Sequence, residues 1–100
     1  MWDALTTFAC PTAQPLYANV MNKSYTEFHL NEALEQLQQT LAEIEGSDYE
    51  ETDLRSDIEH LYHHLNTAWN ARHASDQEVE ECTQVDFDRW RQFPKDLELT

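Results

Sequence analysis

The chain of 100 residues contains one glycine and three prolines, which is too few turn formers for a many-stranded β protein. Its formal net charge of −14 at pH 7 argues against direct binding to nucleic acid or to an anionic membrane, because both need Lys and Arg. A protein partner, and in particular a basic one, is compatible with that charge. Since the apolar residues recur with helical spacing, we predict a folded all-α protein.

The amino-terminal stretch is predicted to be irregular. Pro11 and Pro15 interrupt any long helix, so residues 1–25 are interpreted as an N-terminal arm and residues 26–100 as a single helical domain. Asp3 stands where a signal peptide would carry a basic residue, and no apolar run approaches the roughly 20 residues needed to cross a bilayer. These features predict a cytoplasmic protein.

The first long helix is predicted to begin near Thr26, whose hydroxyl can serve as an N-cap. Gly46 stands where a helix end commonly needs a left-handed residue, so the helix is expected to end there. Between them, large aliphatic residues recur at steps of 4, 3, 4 and 3, a spacing that places them on one stripe of the helix. These residues are Leu30, Leu34, Leu37, Leu41 and Ile44.

A second long helix is predicted to start at Ser47 or Thr52 and to run to Ala74. The short connection implies an antiparallel helical hairpin whose two apolar stripes face one another. Because two helices cannot cover both flanks of such stripes, a third element or a second copy of the hairpin must cover the open side, and a homodimer is one expected assembly. The inward stripe of this helix comprises Leu54, Ile58, Leu61, Leu65 and Ala68.

The remaining chain is predicted to form one or two short helices that close the hairpin. Ser75 and Glu78 have the spacing of a capping box, which indicates a third helix. Asp86 is interpreted as the cap of a last turn or two that ends before Pro94. The large side chains expected to close one end of the hairpin are Phe87, Trp90 and Phe93.

Three residues on one edge of the second helix could bind a transition metal. Asp57, His60 and His64 are spaced so that their side chains converge, and carboxylate and neutral imidazole are common ligands of zinc, iron and nickel. The competing interpretation, which we favour, is that the histidines lie at the margin of a core and form hydrogen bonds. No cofactor is otherwise expected.

The second helix is also rich in side chains that both stack and form hydrogen bonds. Tyr62, Asn66, Trp69 and Asn70 lie near one another on its other flank, and Trp90 belongs to the same type. Aromatic residues beside amides commonly anchor protein interfaces, so these five are candidate interaction anchors. The alternative is that they pack within the chain, under the third helix.

A group of glutamates supplies a candidate acidic surface. Such a surface usually confers solubility, but it also orients a basic partner. Because the chain has no phosphate-binding glycine loop, nucleophile elbow or HExxH motif, we predict a non-catalytic protein that acts through protein–protein interaction. The alternatives are an acidic nucleic-acid mimic that inhibits a basic protein and the metal-binding helical bundle. The glutamates are Glu32, Glu35, Glu43, Glu50, Glu51, Glu80 and Glu81.

Overall fold

A computed structural model describes residues 20–99 of the chain. Within these residues there are four α-helices and no β-strand, which confirms the predicted all-α fold with a long hairpin and short C-terminal helices. We number the helices in chain order: α1 spans Lys23–Glu43, α2 spans Glu51–Asn70, α3 spans Asp76–Glu81 and α4 spans Gln84–Trp90.

Helix α1 begins earlier than predicted because Asn22, not Thr26, caps it. The Asn22 side-chain oxygen accepts a hydrogen bond from the backbone N–H of Tyr25 at 3.2 Å, as an N-cap does. Its amide nitrogen donates to the backbone oxygen of Ala74 at 2.8 Å, so one side chain caps α1 and ties it to the residues after α2. The predicted arm, residues 1–25, lies mostly outside the described residues, and its last residues belong to α1.

The turn after α1 lacks the predicted glycine cap. Helix α1 ends at Glu43, and the backbone N–H of Gly46 donates to the backbone oxygen of Glu43 at 2.9 Å. None of the glycines in the described part of the chain has a positive φ, so the left-handed conformation expected of Gly46 is wrong. A hydrogen-bonded turn of ordinary backbone reverses the chain instead.

Helix α2 begins at Glu51, between the two predicted starting points, Ser47 and Thr52. Glu50 is its N-cap and forms a reciprocal capping box with Asp53, whose carboxylate accepts the Glu50 N–H at 2.9 Å. Negative charge at a helix N-terminus is favourable because the first backbone N–H groups point outward there. The acidic residues between α1 and α2 therefore stabilise the N-terminus of α2.

The long helices pack through a narrow seam of small and polar residues, and the prediction that the two apolar stripes face one another is wrong. Leu37 and Leu41 are 45% and 62% exposed, whereas Ala33 is 5% exposed. Small side chains let the helices approach closely, and polar ones form hydrogen bonds across the seam. Of the residues predicted to point inward, Ala68 is buried. The buried seam residues include His29, Ala33 and Thr40 of α1 and His64, Thr67 and Ala68 of α2.

The two short helices follow a sharp change of direction. Helix α3 opens with the predicted capping box, in which Ser75 accepts from the Glu78 N–H at 3.1 Å and Glu78 accepts from the Ser75 N–H. Cys82 then adopts a left-handed conformation, with φ of 36°. Thr83 caps α4, because its hydroxyl accepts a hydrogen bond from the backbone N–H of Asp86. The prediction that Asp86 is the cap is therefore wrong: the helix begins about one turn earlier.

A small apolar core lies at the open end of the hairpin. Trp90 of α4 is 3% exposed and packs with Ala71 and Ala74, while Tyr25 and Val79 cover its sides. The tryptophan ring lies edge-on to the Tyr25 ring, with centroids 6.0 Å apart. Trp90 thus closes one end of the hairpin as predicted, and the rest of the hairpin is held by the seam.

Candidate functional site

One side of the hairpin is a continuous apolar surface, which we call the leucine face. Its members on both helices are 37% to 62% exposed, apart from Leu61, which is half-buried. Monomeric proteins seldom expose large contiguous apolar patches, and those they do expose commonly bind other molecules. The leucine face consists of Leu30, Leu34, Leu37, Leu41 and Ile44 of α1 and Leu54, Ile58, Leu61 and Leu65 of α2.

A one-residue offset in the sequence creates both the face and the seam. His29, Gln36 and Thr40 directly precede leucine-face residues of α1, and His60 and His64 do the same on α2. One residue is a rotation of about 100°, so on each helix the leucine stripe lies about a quarter turn from the seam. Because the helices run antiparallel, this rotation brings both stripes to the same side of the hairpin.

The leucine face is built in levels. Hydrogen bonds across the seam join His29 to His64, Gln36 to His60 and Thr40 to Asp57, which fixes the antiparallel register. In the antiparallel register that best fits the three bonds together, helical geometry places one residue of α1 near one of α2 at each level, and adjacent levels alternate between four and three residues apart. The levels are Leu30 with Leu65, Leu34 with Leu61, Leu37 with Ile58, and Leu41 with Leu54.

The rim of the leucine face carries little negative charge despite the acidity of the chain. Between the first and last levels, helical periodicity places Asn31 and Gln38 on the rim of α1 and Arg55 and Tyr62 on the rim of α2. The glutamates at these levels lie more than about 130° from the centre of the stripe. The apolar surface is therefore separated from the acidic surface by amide, aromatic and basic side chains.

Three histidines form a hydrogen-bonded row in the seam. The Nδ1 atoms of His29 and His64 are 2.9 Å apart, and the Nε2 atoms of His64 and His60 are 3.1 Å apart. His60 Nδ1 lies 2.6 Å from the side-chain oxygen of Gln36. His29 and His64 are each only 6% exposed, whereas His60 is exposed, so the row runs from the interior of the hairpin to its surface.

The row continues towards the turn through polar residues of both helices. Gln36 Nε2 donates to the hydroxyl of Thr40 at 3.1 Å, and that hydroxyl donates to Asp57 Oδ2 at 3.1 Å. The Tyr49 hydroxyl donates to the same carboxylate oxygen at 2.8 Å. A buried carboxylate is stable when its oxygens are hydrogen-bonded, and these two donors hold Asp57 in the seam.

The side-chain amide of Gln36 determines which ring nitrogen donates and which accepts in each hydrogen bond of the row. The Gln36 side-chain oxygen can only accept, so His60 donates from Nδ1 and, as a neutral ring, accepts at Nε2. His64 then donates from Nε2 and accepts at Nδ1, and His29 donates from Nδ1. His29 Nε2 remains as a buried acceptor without a hydrogen-bond partner. Each hydrogen bond between two rings needs one ring that accepts through an unprotonated nitrogen.

The environment of His29 and His64 favours their neutral forms. Burial, followed by the proximity of His64 and His63, lowers the pKa of His29 from 6.5 to about 4. Burial and the neighbouring His60 lower the pKa of His64, and burial is also the largest cause of the lowered pKa of His63. Near neutral pH these rings therefore act as hydrogen-bonding groups.

The predicted metal ligands are all placed in or beside the seam. Asp57 accepts its hydrogen bonds from Tyr49 and Thr40, while the Nε2 atoms of His60 and His64 face each other. In residues 20–99 no group of three or more His, Cys, Asp or Glu has an arrangement that could hold a metal ion. A metal bound by His60 and His64 would have to replace the hydrogen bond between them.

Three of the candidate anchors hold the C-terminal segment. Asn66 donates to the backbone oxygen of Arg91 at 2.9 Å, and Asn70 donates to that of Trp90 at 2.8 Å. Trp90 itself is buried in the small core. These three side chains therefore form contacts within the chain. This agrees with the alternative interpretation from sequence, in which the candidate anchors pack internally.

Two candidate anchors remain partly accessible. Tyr62 is 44% exposed and its ring packs 4.9 Å from that of Phe93, measured between centroids. Trp69 donates from Nε1 to Asp96 at 3.0 Å, and the Arg72 guanidinium lies 3.8 Å from its ring centroid. Tyr62 also borders the leucine face, so it can contact whatever covers that face.

The predicted acidic surface is largely accessible and is not neutralised by the described ion pairs. Among the described residues, the ion pairs involve Glu59, Asp96 and Asp86 and none of the seven predicted glutamates. Six of the seven are exposed, and Glu32 is half-buried. The members with described hydrogen bonds, such as Glu43 with Gln39, receive them from neutral groups. This surface remains strongly negative.

Sequence reasoning missed most of the seam network. His29, Gln36, Thr40 and Tyr49 were not singled out, and His63, which packs 5.4 Å from Phe87, was not separated from its neighbours. A signal was present: the residues directly preceding the leucines of α1 repeat at the same spacing and include His, Ala, Gln and Thr. A second periodic stripe of small and polar residues is what a close helix–helix contact requires.

Comparison with protein-family models, curated proteins and solved structures finds no significant match to this chain. Its function must therefore be inferred from its own residues. Among residues 20–99, none of the helices combines the length and apolarity needed to cross a membrane.

Proposed function

We propose that this protein is non-catalytic and acts by binding another protein chain through its leucine face. The observation that supports the proposal is the exposure of large aliphatic side chains along one side of both long helices, with Leu41 at 62% and Leu34 at 51%. Transferring such side chains out of water is favourable by roughly 25 cal/mol per Å². A partner that covers this surface would gain that free energy.

The polar groups of the molecule support a non-catalytic role. The imidazoles of His29, His64 and His60 are hydrogen-bonded to one another, and Asp57 accepts from Thr40 and Tyr49. Acid–base or nucleophilic catalysis needs such a group facing a substrate.

The proposal can be tested by site-specific photo-crosslinking of the full chain inside cells that produce it. A photoreactive residue at position 41 lies on the leucine face, and the same residue at position 39 lies on the opposite side of α1 as a matched control. We expect adducts of higher mass from position 41 and not from position 39. The absence of adducts from position 41 would contradict the proposal.

The accessible glutamates favour a second candidate, an acidic protein that occupies the nucleic-acid site of a basic partner. Glu35 and Glu43 lie on the same side of α1 as Gln39, away from the leucine face. This candidate predicts adducts from position 39 that disappear at high salt and in the presence of DNA, because both weaken contacts between opposite charges. Adducts that persist under both conditions would exclude it.

A further inference from the structure

We infer that the partner covering the leucine face is a second copy of this chain, forming a four-helix bundle; this inference rests on the proposed function. The first observation is the arrangement in levels. Each level offers two large aliphatic residues, one from α1 and one from α2, such as Leu37 beside Ile58. A layer of a four-helix bundle core needs side chains from four helices, and two such faces supply them.

The order of the levels suits a self-complementary contact. In an isologous interface the same surface meets itself around a twofold axis. The steps between levels along α1 are 4, 3 and 4 residues, a series that reads the same in both directions. The levels of one hairpin can therefore align with those of another whether the two run parallel or antiparallel.

The accessible area is appropriate for a stable dimer. From the exposed fractions of its members, the leucine face presents roughly 700 Å², close to the ~800 Å² per partner of a standard interface. It is also two helices wide.

Charge does not prevent this contact, although each copy is acidic. The rim carries Asn31, Gln38, Arg55 and Tyr62, and the glutamates at these levels point away from the face. Salt at physiological ionic strength, where the Debye length is about 8 Å, weakens the repulsion between glutamates of the two copies. The residual repulsion predicts that added salt strengthens the dimer, whereas contact with a basic partner would weaken.

Sedimentation of the untagged full chain tests the inference. We expect a species of twice the 11.8 kDa chain mass, with a dissociation constant that falls as sodium chloride is raised. Leu37→Glu places a charge at the centre of the face and is expected to give a monomer of unchanged helical circular dichroism, because Leu37 is already 45% exposed in the single chain. Gln39→Glu adds the same charge on the opposite side and should remain dimeric.

Other outcomes would overturn the inference and are distinguishable from failure of the proposed function. A wild-type monomer that still forms adducts with a different protein from position 41 keeps the proposed function and removes the second copy as occupant. If the protein is a monomer and its leucines are nevertheless protected from hydroxyl-radical labelling, residues 1–19 of the same chain cover the leucine face. A dimer that persists in both Leu37→Glu and Ile58→Glu places the contact elsewhere.

Discussion

The Nδ1 atoms of His29 and His64 meet at 2.9 Å in the seam between the two long helices. One of these nitrogens must donate and the other accept, so the accepting ring must be unprotonated at Nδ1 and the two rings cannot both be fully protonated. Protonating either ring would place a charge in a site that is almost closed to water. The packing of the hairpin is thereby coupled to the protonation of its histidines.

This coupling predicts that acid destabilises the fold. The pKa of His29 is lowered to about 4 in the folded chain from about 6.5 when unfolded, so between these values the unfolded chain binds more protons and stability falls as the pH falls. The loss attributable to His29 is about 2 kcal/mol at pH 5. Urea unfolding at pH 7 and pH 5 measures it.

His29→Gln separates this effect from the titration of carboxylates. Glutamine keeps a donor for His64 but does not titrate, so the variant should lose less stability between pH 7 and pH 5 than the wild type. His73→Gln, at an exposed position, is the control and should retain the wild-type difference. Equal pH dependence in all three chains would show that the seam does not sense protons.

Removing the buried tryptophan should release the C-terminal segment. Trp90 is 3% exposed and is the largest side chain of the small core, so Trp90→Ala is expected to cost about 3–5 kcal/mol. Val85, on the same helix and 72% exposed, provides the comparison, and Val85→Ala should change the free energy of unfolding by less than about 0.5 kcal/mol. Urea unfolding followed by circular dichroism measures both, and similar effects of the two substitutions would contradict the assigned core.

Asn22 should contribute more than an ordinary helix cap. Its side chain accepts from the Tyr25 N–H and donates to the Ala74 oxygen, so Asn22→Ala removes a cap and a tie between the ends of the hairpin. We expect a loss of about 1–3 kcal/mol and faster amide hydrogen exchange in the first turn of α1. Lys23→Gln, at an exposed neighbouring position, should leave exchange unchanged. Unaltered exchange in Asn22→Ala would show that the tie is not maintained in solution.

Zinc is expected to leave the melting temperature unchanged. The Nε2 atoms of His60 and His64 are hydrogen-bonded to each other, and Asp57 accepts hydrogen bonds from Tyr49 and Thr40. A metal bound by these residues would have to replace those hydrogen bonds. The measurement is thermal unfolding of metal-free protein with and without zinc. A rise in melting temperature that His60→Ala abolishes and His73→Ala preserves would establish the metal-binding alternative instead.

The fold was predictable from sequence to the extent that its signals are local. The leucine repeats located both long helices, and the Ser75 and Glu78 pair located α3. Helix starts at Asn22 and Thr83 were missed because several neighbouring residues have side chains that can cap, and the choice depends on distant partners such as Ala74. Local pattern alone does not contain that information.

The orientation of the hairpin helices was not predictable in the same way. Hydrophobicity favours burying Leu30 and Leu41, yet the pair of helices buries His29 and Thr40, one position earlier. Two periodic stripes of equal spacing compete for the contact, and hydrogen bonds together with close packing of small residues select the polar one. If a second copy covers the leucine face, the leucines do become a core, but of the assembly.

The one-residue offset between seam and face also limits how this chain can change length. Inserting a single residue within α1 would rotate everything after it by about 100° and exchange the polar stripe with the leucine stripe. Inserting about seven residues, close to two full turns, would keep both in place. Length differences among related chains should therefore be concentrated in the turn at residues 44–50, where an added residue leaves both helix faces aligned.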